Sequence, residues 1–364
     1  MSNLVNDVRV NLSERGYDIA IGVSNLGTIG QFIRDRIELS HALVVTDANV
    51  EKLYAGIVAK SLAEQDAEVD LLAVEPGEPS KSIEMADQLW NKFLELGADR
   101  SSVVIAVGGG VIGDLAGFIA ATFARGLAFF QVPTSLLAQV DSSVGGKVGV
   151  NLPGAKNIVG AFWQPSGVLI DISVLNSLPT REYQAGLAEV VKYGVILDQE
   201  FFVYLEQNIE ALNNRDVGIL KYVVARCCRL KADVVEADER EETGIRAVLN
   251  YGHTFCHAIE TVTGYGQLLH GEAVAIGMLC ASRLAEKLGR IDTEVTKRQH
   301  DLLTALGLPV SVPDVSHDDL LSAMQRDKKV HHGTLRFVLP TRMGHVELVS
   351  DIDPQLVQSS LSCS

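Results

Sequence analysis

Four candidate metal ligands stand out in the second half of a 364-residue chain: Glu189 in AGLAEVVKYG, His253 and His257 in NYGHTFCHAIE, and His270 in LLHGEAV. A catalytic zinc site takes three ligands from His, Asp and Glu and leaves a fourth position to water or substrate. One carboxylate and two histidines from separate segments would suffice. His253 and His257 are four residues apart, which places them one turn apart on one helical face. The zinc motif HExxH uses that spacing, but Thr254 follows the first histidine, so the glutamate base of that motif is missing. Spacing alone does not choose between the two, and the one left over is either a proton shuttle or an ordinary packed side chain.

Cations occur where a polyanion would need them: Arg125, Lys147, Lys156, Lys192, Lys231, Arg246 and Lys328. In SSVGGKVGVNLPGAKNIVG, glycines surround two of these lysines, as in a loop that closes over a ligand. A second glycine-rich stretch, VVIAVGGGVIGDLAG, sets Gly108, Gly109 and Gly110 between an apolar run and a helical one. Such a turn lets the backbone approach a phosphate and aims helix N–H groups at it. The pattern GGGxxGD departs from the GxGxxG fingerprint, so it needs support from neighbouring segments. Asp47 and Asn49 in TDAN suit ribose hydroxyls, Glu78 and Lys81 in EPGEPSK add an acceptor and a cation, and Thr134 and Ser135 in VPTS add hydroxyls. All end apolar runs, and together they predict a dinucleotide site.

Those runs are YDIAIGV (17–23), HALVVTD (41–47), VDLLAVE (69–75), VVIAVGGG (103–110), FFQVPT (129–134) and VLIDIS (168–173), separated by helical stretches. Strand and helix in alternation predict a parallel sheet covered on both faces, with ligands at the carboxyl ends of the strands. From about Leu178 long helical periods dominate, LNSLPTRE reads as the hinge, and LRFVLP with HVELVS predicts a short hairpin. The expected fold class is α/β plus α: a Rossmann-like, dinucleotide-binding parallel-sheet domain over 1–177, then a mostly α-helical metal- and substrate-binding domain over 178–364.

Composition narrows the function. Thirty-one basic against forty-six acidic residues give a net charge of −15, which argues against nucleic acid and anionic membranes as partners. Five cysteines, Cys227, Cys228, Cys256, Cys280 and Cys363, form no CxxC pair and predict neither a disulfide framework nor a thiolate zinc site. No apolar run reaches the ~18 residues of a membrane span, and MSNLVNDVRV lacks the layout of a signal peptide, so a cytoplasmic location is expected.

Taken in order, EPGEPSKS, GGGVIGDLAGFIAATFARG, VPTSLLAQVDSSVGGKVGVN, AKNIVGAFWQP, SLPTREYQAGLAEVVKYG, KADVVEADERE, LNYGHTFCHAIE and HGEAVAIGM, with the later DKK and RFVLP, resemble the 3-dehydroquinate synthase family of sugar phosphate cyclases. The resemblance implies a zinc enzyme, with cobalt able to substitute, whose metal ligands are Glu189, His253 and His270, leaving His257 for proton transfer. It implies that Asp141, Lys192, Asn250 and His257 line the reacting carbons. Lys147, Asn157 and Lys328, with Arg125 from the second subunit of a homodimer, would hold a phosphate. Lys231 and Arg246 would hold a carboxylate. NAD would lie on Asp47, Asn49, Glu78, Lys81, Gly109, Gly110, Val111, Ile112, Gly113, Asp114, Thr134, Ser135, Lys147, Lys156 and Ser177.

The implied reaction turns 3-deoxy-D-arabino-heptulosonate 7-phosphate into 3-dehydroquinate and phosphate on the shikimate route to chorismate and the aromatic amino acids. It proceeds by transient oxidation with NAD, phosphate elimination, reduction, ring opening and an intramolecular aldol. Two rivals share the architecture. Other sugar phosphate cyclases lack a substrate carboxylate and need not keep Lys231, Arg246 and Asn250 together. Metal-dependent polyol dehydrogenases have no use for Lys147, Asn157 and Lys328 as a phosphate clamp.

Overall fold

The six apolar runs form strands. In this computed structural model, which describes residues 7–264, 266–329 and 335–362, with side chains in the last helical turn before the second gap described only to 326, they are β2 (Tyr17–Gly22), β3 (His41–Asp47), β4 (Glu68–Val74), β5 (Val103–Gly108), β6 (Ala128–Pro133) and β9 (Gly167–Asp171). With β1 (Val8–Val10) they make a seven-stranded sheet in the order β1-β2-β9-β6-β5-β3-β4. Only β1 with β2 is antiparallel. β5 is buried at every position, as a strand covered on both faces must be.

Two apolar layers do the covering. Leu43, Val45, Val104 and Ala106 pack with Leu115 and Ile119 of the helix Gly110–Thr122 and with Leu89 and Phe93 of the helix Ile83–Glu95. On the alternate positions, Val44, Ile105, Val107 and Phe130 pack with Ile33 and with Val58 and Leu62. Because β3 carries β4 on one side and β5 on the other, the chain reverses its direction of winding there. That reversal opens a crevice at the carboxyl ends of β3 and β5, where TDAN and the glycine turn stand.

The remaining glycine-rich segment is not a loop. β7 (Lys147–Leu152) and β8 (Ala155–Phe162) form an antiparallel hairpin in which Gly149 lies opposite Gly160. A Cβ on Gly160 would lie 2.3 Å from the Val148 carbonyl oxygen, and one on Gly149 would lie 2.7 Å from that of Val159. The glycines permit close strand approach rather than mobility, a distinction invisible to a reading of local composition.

The chain divides into two compact units, Met1–Leu178 with Leu220–Arg240, and Pro179–Ile219 with Glu241–Ser364. Helical periodicity in the sequence assigns 220–240 to the helical domain. Most of the helix Val217–Ala237 instead packs with the sheet unit, because its periodic apolar face specifies a helix without specifying a partner.

In the second unit the helices Thr180–Leu197, His253–Thr263 and His270–Lys287 surround the metal-type residues, and β10 (Arg336–Arg342) pairs with β11 (His345–Ser350) in the expected hairpin. NYGHTFCHAIE is not one helix. Asn250 ends a 3-10 turn, Ile245–Asn250, and Gly252 at φ 80° separates it from the helix that starts at His253. Among the described residues no helix is long and apolar enough to cross a membrane.

Candidate active site

The helix Thr180–Leu197 is buried without interruption from Ala185 to Ile196, yet it carries Glu189 and Lys192 within that stretch. Both side chains are almost wholly excluded from solvent, and they form an ion pair. Neither Glu189 oxygen accepts a hydrogen bond of proper geometry, although both are buried. A buried carboxylate is costly unless a cation meets it, and one ammonium leaves lone pairs unused.

His253 and His270 provide the rest of a cation cage. One ligand atom from each of Glu189, His253 and His270 lies within 4.8 Å of the others. His253 Nδ1 lies 3.2 Å from the Tyr251 carbonyl oxygen, while its Nε2 is 3.9 Å from Glu189 Oε1. Burial, and then the positive charge of Lys192, hold the His253 imidazole well below the usual histidine range. It is therefore a neutral base at pH 7, with a lone pair to offer. This donor set, an under-satisfied carboxylate with two imidazoles, fits a divalent metal of the zinc type.

Glycines bring these helices together. A Cβ on Gly277 would sit 2.3 Å from the Gly252 carbonyl oxygen, so the helix His270–Lys287 approaches the start of the helix His253–Thr263 at backbone contact. In the turn that begins at His270, Glu272 accepts the Leu269 N–H at 2.8 Å and forms a two-pronged pair with Arg181 at 2.7 and 2.8 Å. His257 faces outward, its ring edge-on to His253 at 5.7 Å, and belongs to neither of the two clusters of metal-type ligands found among the described residues. Asn250 is exposed, and buried Arg246 has Glu241 at 3.8 Å. Lys328 falls in the last turn of the helix His317–Lys329, and its side chain lies outside the described residues.

A second cluster, Cys256, Glu260 and His270, adjoins the first. Glu260 is absent from the residues that the sequence singles out. Its signal was spacing, since Glu260 is seven residues, or two helical turns, beyond His253.

In the sheet unit, the glycine turn is shaped by steric need. Gly109 has φ −74°, open to any residue, but a Cβ on Gly108 would lie 2.6 Å from Ile112 Cβ, and one on Gly113 2.8 Å from Gln131 Oε1. No side chain caps the helix Gly110–Thr122, so the amides of Gly110, Val111 and Ile112 are left for a ligand. Ser135 flanks the turn, its hydroxyl 3.3 Å from where a Gly109 Cβ would stand, and the Thr134 N–H donates to the Gly108 carbonyl at 2.9 Å. Asp47 caps the next helix, accepting from Asn49 and Val50 N–H. The Ser177 hydroxyl lies 2.6 Å from the Tyr54 hydroxyl.

Several residues assigned to different ligands are joined to one another. Lys81 is buried and donates to Asp114 at 2.5 Å and to the Asn157 side chain. Burial raises the Asp114 carboxyl and Lys81 opposes that rise. Asn151, which no sequence motif singles out, donates from its side chain to Glu78 at 2.7 Å and accepts from Asn157 N–H at 2.8 Å. Lys231 pairs with Asp141 Oδ1 at 2.9 Å and donates to the Asp141 carbonyl at 2.7 Å. Lys147 and Lys156 are exposed on β7 and β8. Arg125 is exposed in a turn where Ala124 and Arg125 both take positive φ, 49° and 72°, an unfavourable conformation for side-chain-bearing residues.

Comparison with known proteins matches the family described as 3-dehydroquinate synthase N-terminal over residues 71–185 and that described as 3-dehydroquinate synthase C-terminal over 186–330. A curated 3-dehydroquinate synthase of Rhodopirellula baltica is 46% identical over 370 residues, covering 100% of this chain and 99% of the relative. Among solved structures, 2-deoxy-scyllo-inosose synthase complexed with carbaglucose-6-phosphate, NAD+ and Co2+ superposes with a TM-score of 0.89 at 27% identity, covering 98% and 99% of the two chains. The 2-epi-5-epi-valiolone synthase of Streptomyces hygroscopicus subsp. jinggangensis 5008, with NAD+ and Zn2+ bound, gives 0.88 at 29%, covering 96% and 97%.

Proposed function

The chain belongs to the 3-dehydroquinate synthase family, and on that premise we propose how its residues divide the reaction. The activity is that of a phosphate-eliminating lyase in aromatic biosynthesis, converting 3-deoxy-D-arabino-heptulosonate 7-phosphate into 3-dehydroquinate and phosphate. The observation that carries this reading is the 46% identity to a curated synthase over the whole chain.

Glu189, His253 and His270 hold a divalent metal, zinc or cobalt, as the zinc- and cobalt-containing structural neighbours suggest. The glycine turn with Asp47, Asn49, Lys81, Asp114 and Thr134 holds NAD. Bound there, the dinucleotide supplies a recyclable hydride acceptor and the metal a Lewis acid for the reacting hydroxyl. Lys192 adds positive potential beside Glu189, where it favours negative charge developing on a substrate oxygen. His257, exposed and one turn beyond a ligand, exchanges protons with solvent without spending its lone pair on the metal.

Lys231 and Arg246 clamp the carboxylate, and Asp141 holds the Lys231 ammonium in place for it. Lys147, Asn157 and Lys328 meet the phosphate, whose own oxygen takes the adjacent C–H proton as it leaves. Arg125 reaches the phosphate of the other subunit in a homodimer, for which its exposed, strained turn is suited. The carboxylate pair favours the heptulosonate over a sugar phosphate lacking that group. Equal yields of phosphate and dehydroquinate from the heptulosonate phosphate, with no net NADH, are expected. Steady NADH accumulation on a polyol would show a dehydrogenase instead.

A further inference from the structure

We propose that Glu260 is a positioning residue for the metal centre, its carboxylate accepting from the Nδ1–H of His270 and so fixing the tautomer that offers Nε2 to the ion. The inference rests on the reading of Glu189, His253 and His270 as the metal-holding set.

Glu260 is 7% exposed on the helix His253–Thr263. Its Oε1 lies 3.5 Å from His270 Nδ1. Burying a carboxylate on an apolar helix face is unfavourable without a donor aimed at it, and the imidazole supplies that donor. A metal-bound histidine needs the converse, a partner for its other ring N–H, which orients the ring and raises its basicity. The two needs are met by one contact.

Cys256 lies beside both groups, with Sγ 3.9 Å from Glu260 Oε2, 3.8 Å from His270 Nδ1 and 3.9 Å from the His270 carbonyl. These three residues therefore make a cluster that a metal could in principle occupy. They differ from Glu189 in one respect. The thiol proton has acceptors in the carboxylate and the carbonyl, whereas both Glu189 oxygens lack an acceptable hydrogen bond. Uncompensated acceptor capacity lies on the Glu189 side, so the ion belongs there and Glu260 stands behind the ligand.

The test compares Glu260→Ala, Glu260→Gln and Cys256→Ala with the wild-type full chain, titrating metal-free protein with Zn2+ against a competing chelator. Glu260→Ala should weaken zinc binding by about 10- to 100-fold. Glu260→Gln should lose less, because its amide oxygen still accepts the Nδ1–H, and Cys256→Ala should stay near wild type. Long-range 1H–15N NMR of the zinc-loaded protein should show His270 protonated at Nδ1. Wild-type zinc affinity in both Glu260 variants would overturn the proposal, even if their melting temperatures fell, since a purely packing role would give that result. So would a thiolate-to-metal absorption band in the Co2+ form that Cys256→Ala abolishes. A wild-type chain that takes up no zinc would defeat the metal-site reading itself, and this inference with it.

Discussion

Gly271 stands so close to Ala185 that a Cβ built on it would lie 1.9 Å from the Ala185 carbonyl oxygen. This approach docks the first turn of the helix His270–Lys287 onto the helix Thr180–Leu197 one turn before Glu189. The separation of His270 from the Glu189 carboxylate is thus set by a missing methyl group. Gly271→Ala must push the backbones apart, and overpacking of this kind costs about 1–3 kcal/mol. Calorimetry with and without zinc should show a lower melting temperature and a smaller shift on adding metal. Gly56→Ala is the control. Gly56 begins the helix Gly56–Ala63 at φ −63°, with nothing within 4 Å of an added methyl, so that change should stabilise by about 0.4–1 kcal/mol.

Lys81 and Asp114 form a pair in which the lysine is buried. Lys81→Met removes one partner and leaves a desolvated carboxylate, a change that costs about 3–5 kcal/mol when such a pair is broken. Urea denaturation should show this loss as an earlier midpoint. Adding Asp114→Asn should recover part of it, because the stranded charge is then gone.

Glu272 predicts a pH effect with a definite sign. Burial pushes its carboxyl up, but the Arg181 guanidinium and the Leu269 N–H outweigh that and hold it below the ordinary value of 4.5. A carboxyl depressed by folding contributes stability above its unfolded pKa and loses it as pH falls through the folded value. Thermal melts taken above and below pH 4.5 should therefore show an acid loss in the wild type. Glu272→Gln should flatten that limb, while lowering stability at neutral pH.

The parallel sheet was legible because β-branched runs such as HALVVTD and VVIAV have no comfortable home except between two covering layers. The hairpin β7–β8 was not, since the pairing of Gly149 with Gly160 is a contact across eleven residues and glycine looks the same in a loop. Residues 220–240 misled for a related reason: an amphipathic face names no partner. At the candidate metal centre, residue types were readable from the sequence, but spacing alone did not divide them, and their division rested on the resemblance. The four-residue spacing treats His253 and His257 as equals, whereas in the structure His253 is half-buried and His257 exposed on the helix that starts after the left-handed turn at Gly252. Glu260 escaped notice because its partner, His270, lies on a different helix.

The most direct test is the zinc content of His253→Ala and His257→Ala, purified side by side, with phosphate release from the heptulosonate phosphate measured on the same samples. His253→Ala should lose both metal and turnover. His257→Ala should keep the metal of the wild type and lose rate. Zinc retained in His253→Ala but lost from His257→Ala would contradict the assignment of Glu189, His253 and His270 as the metal site.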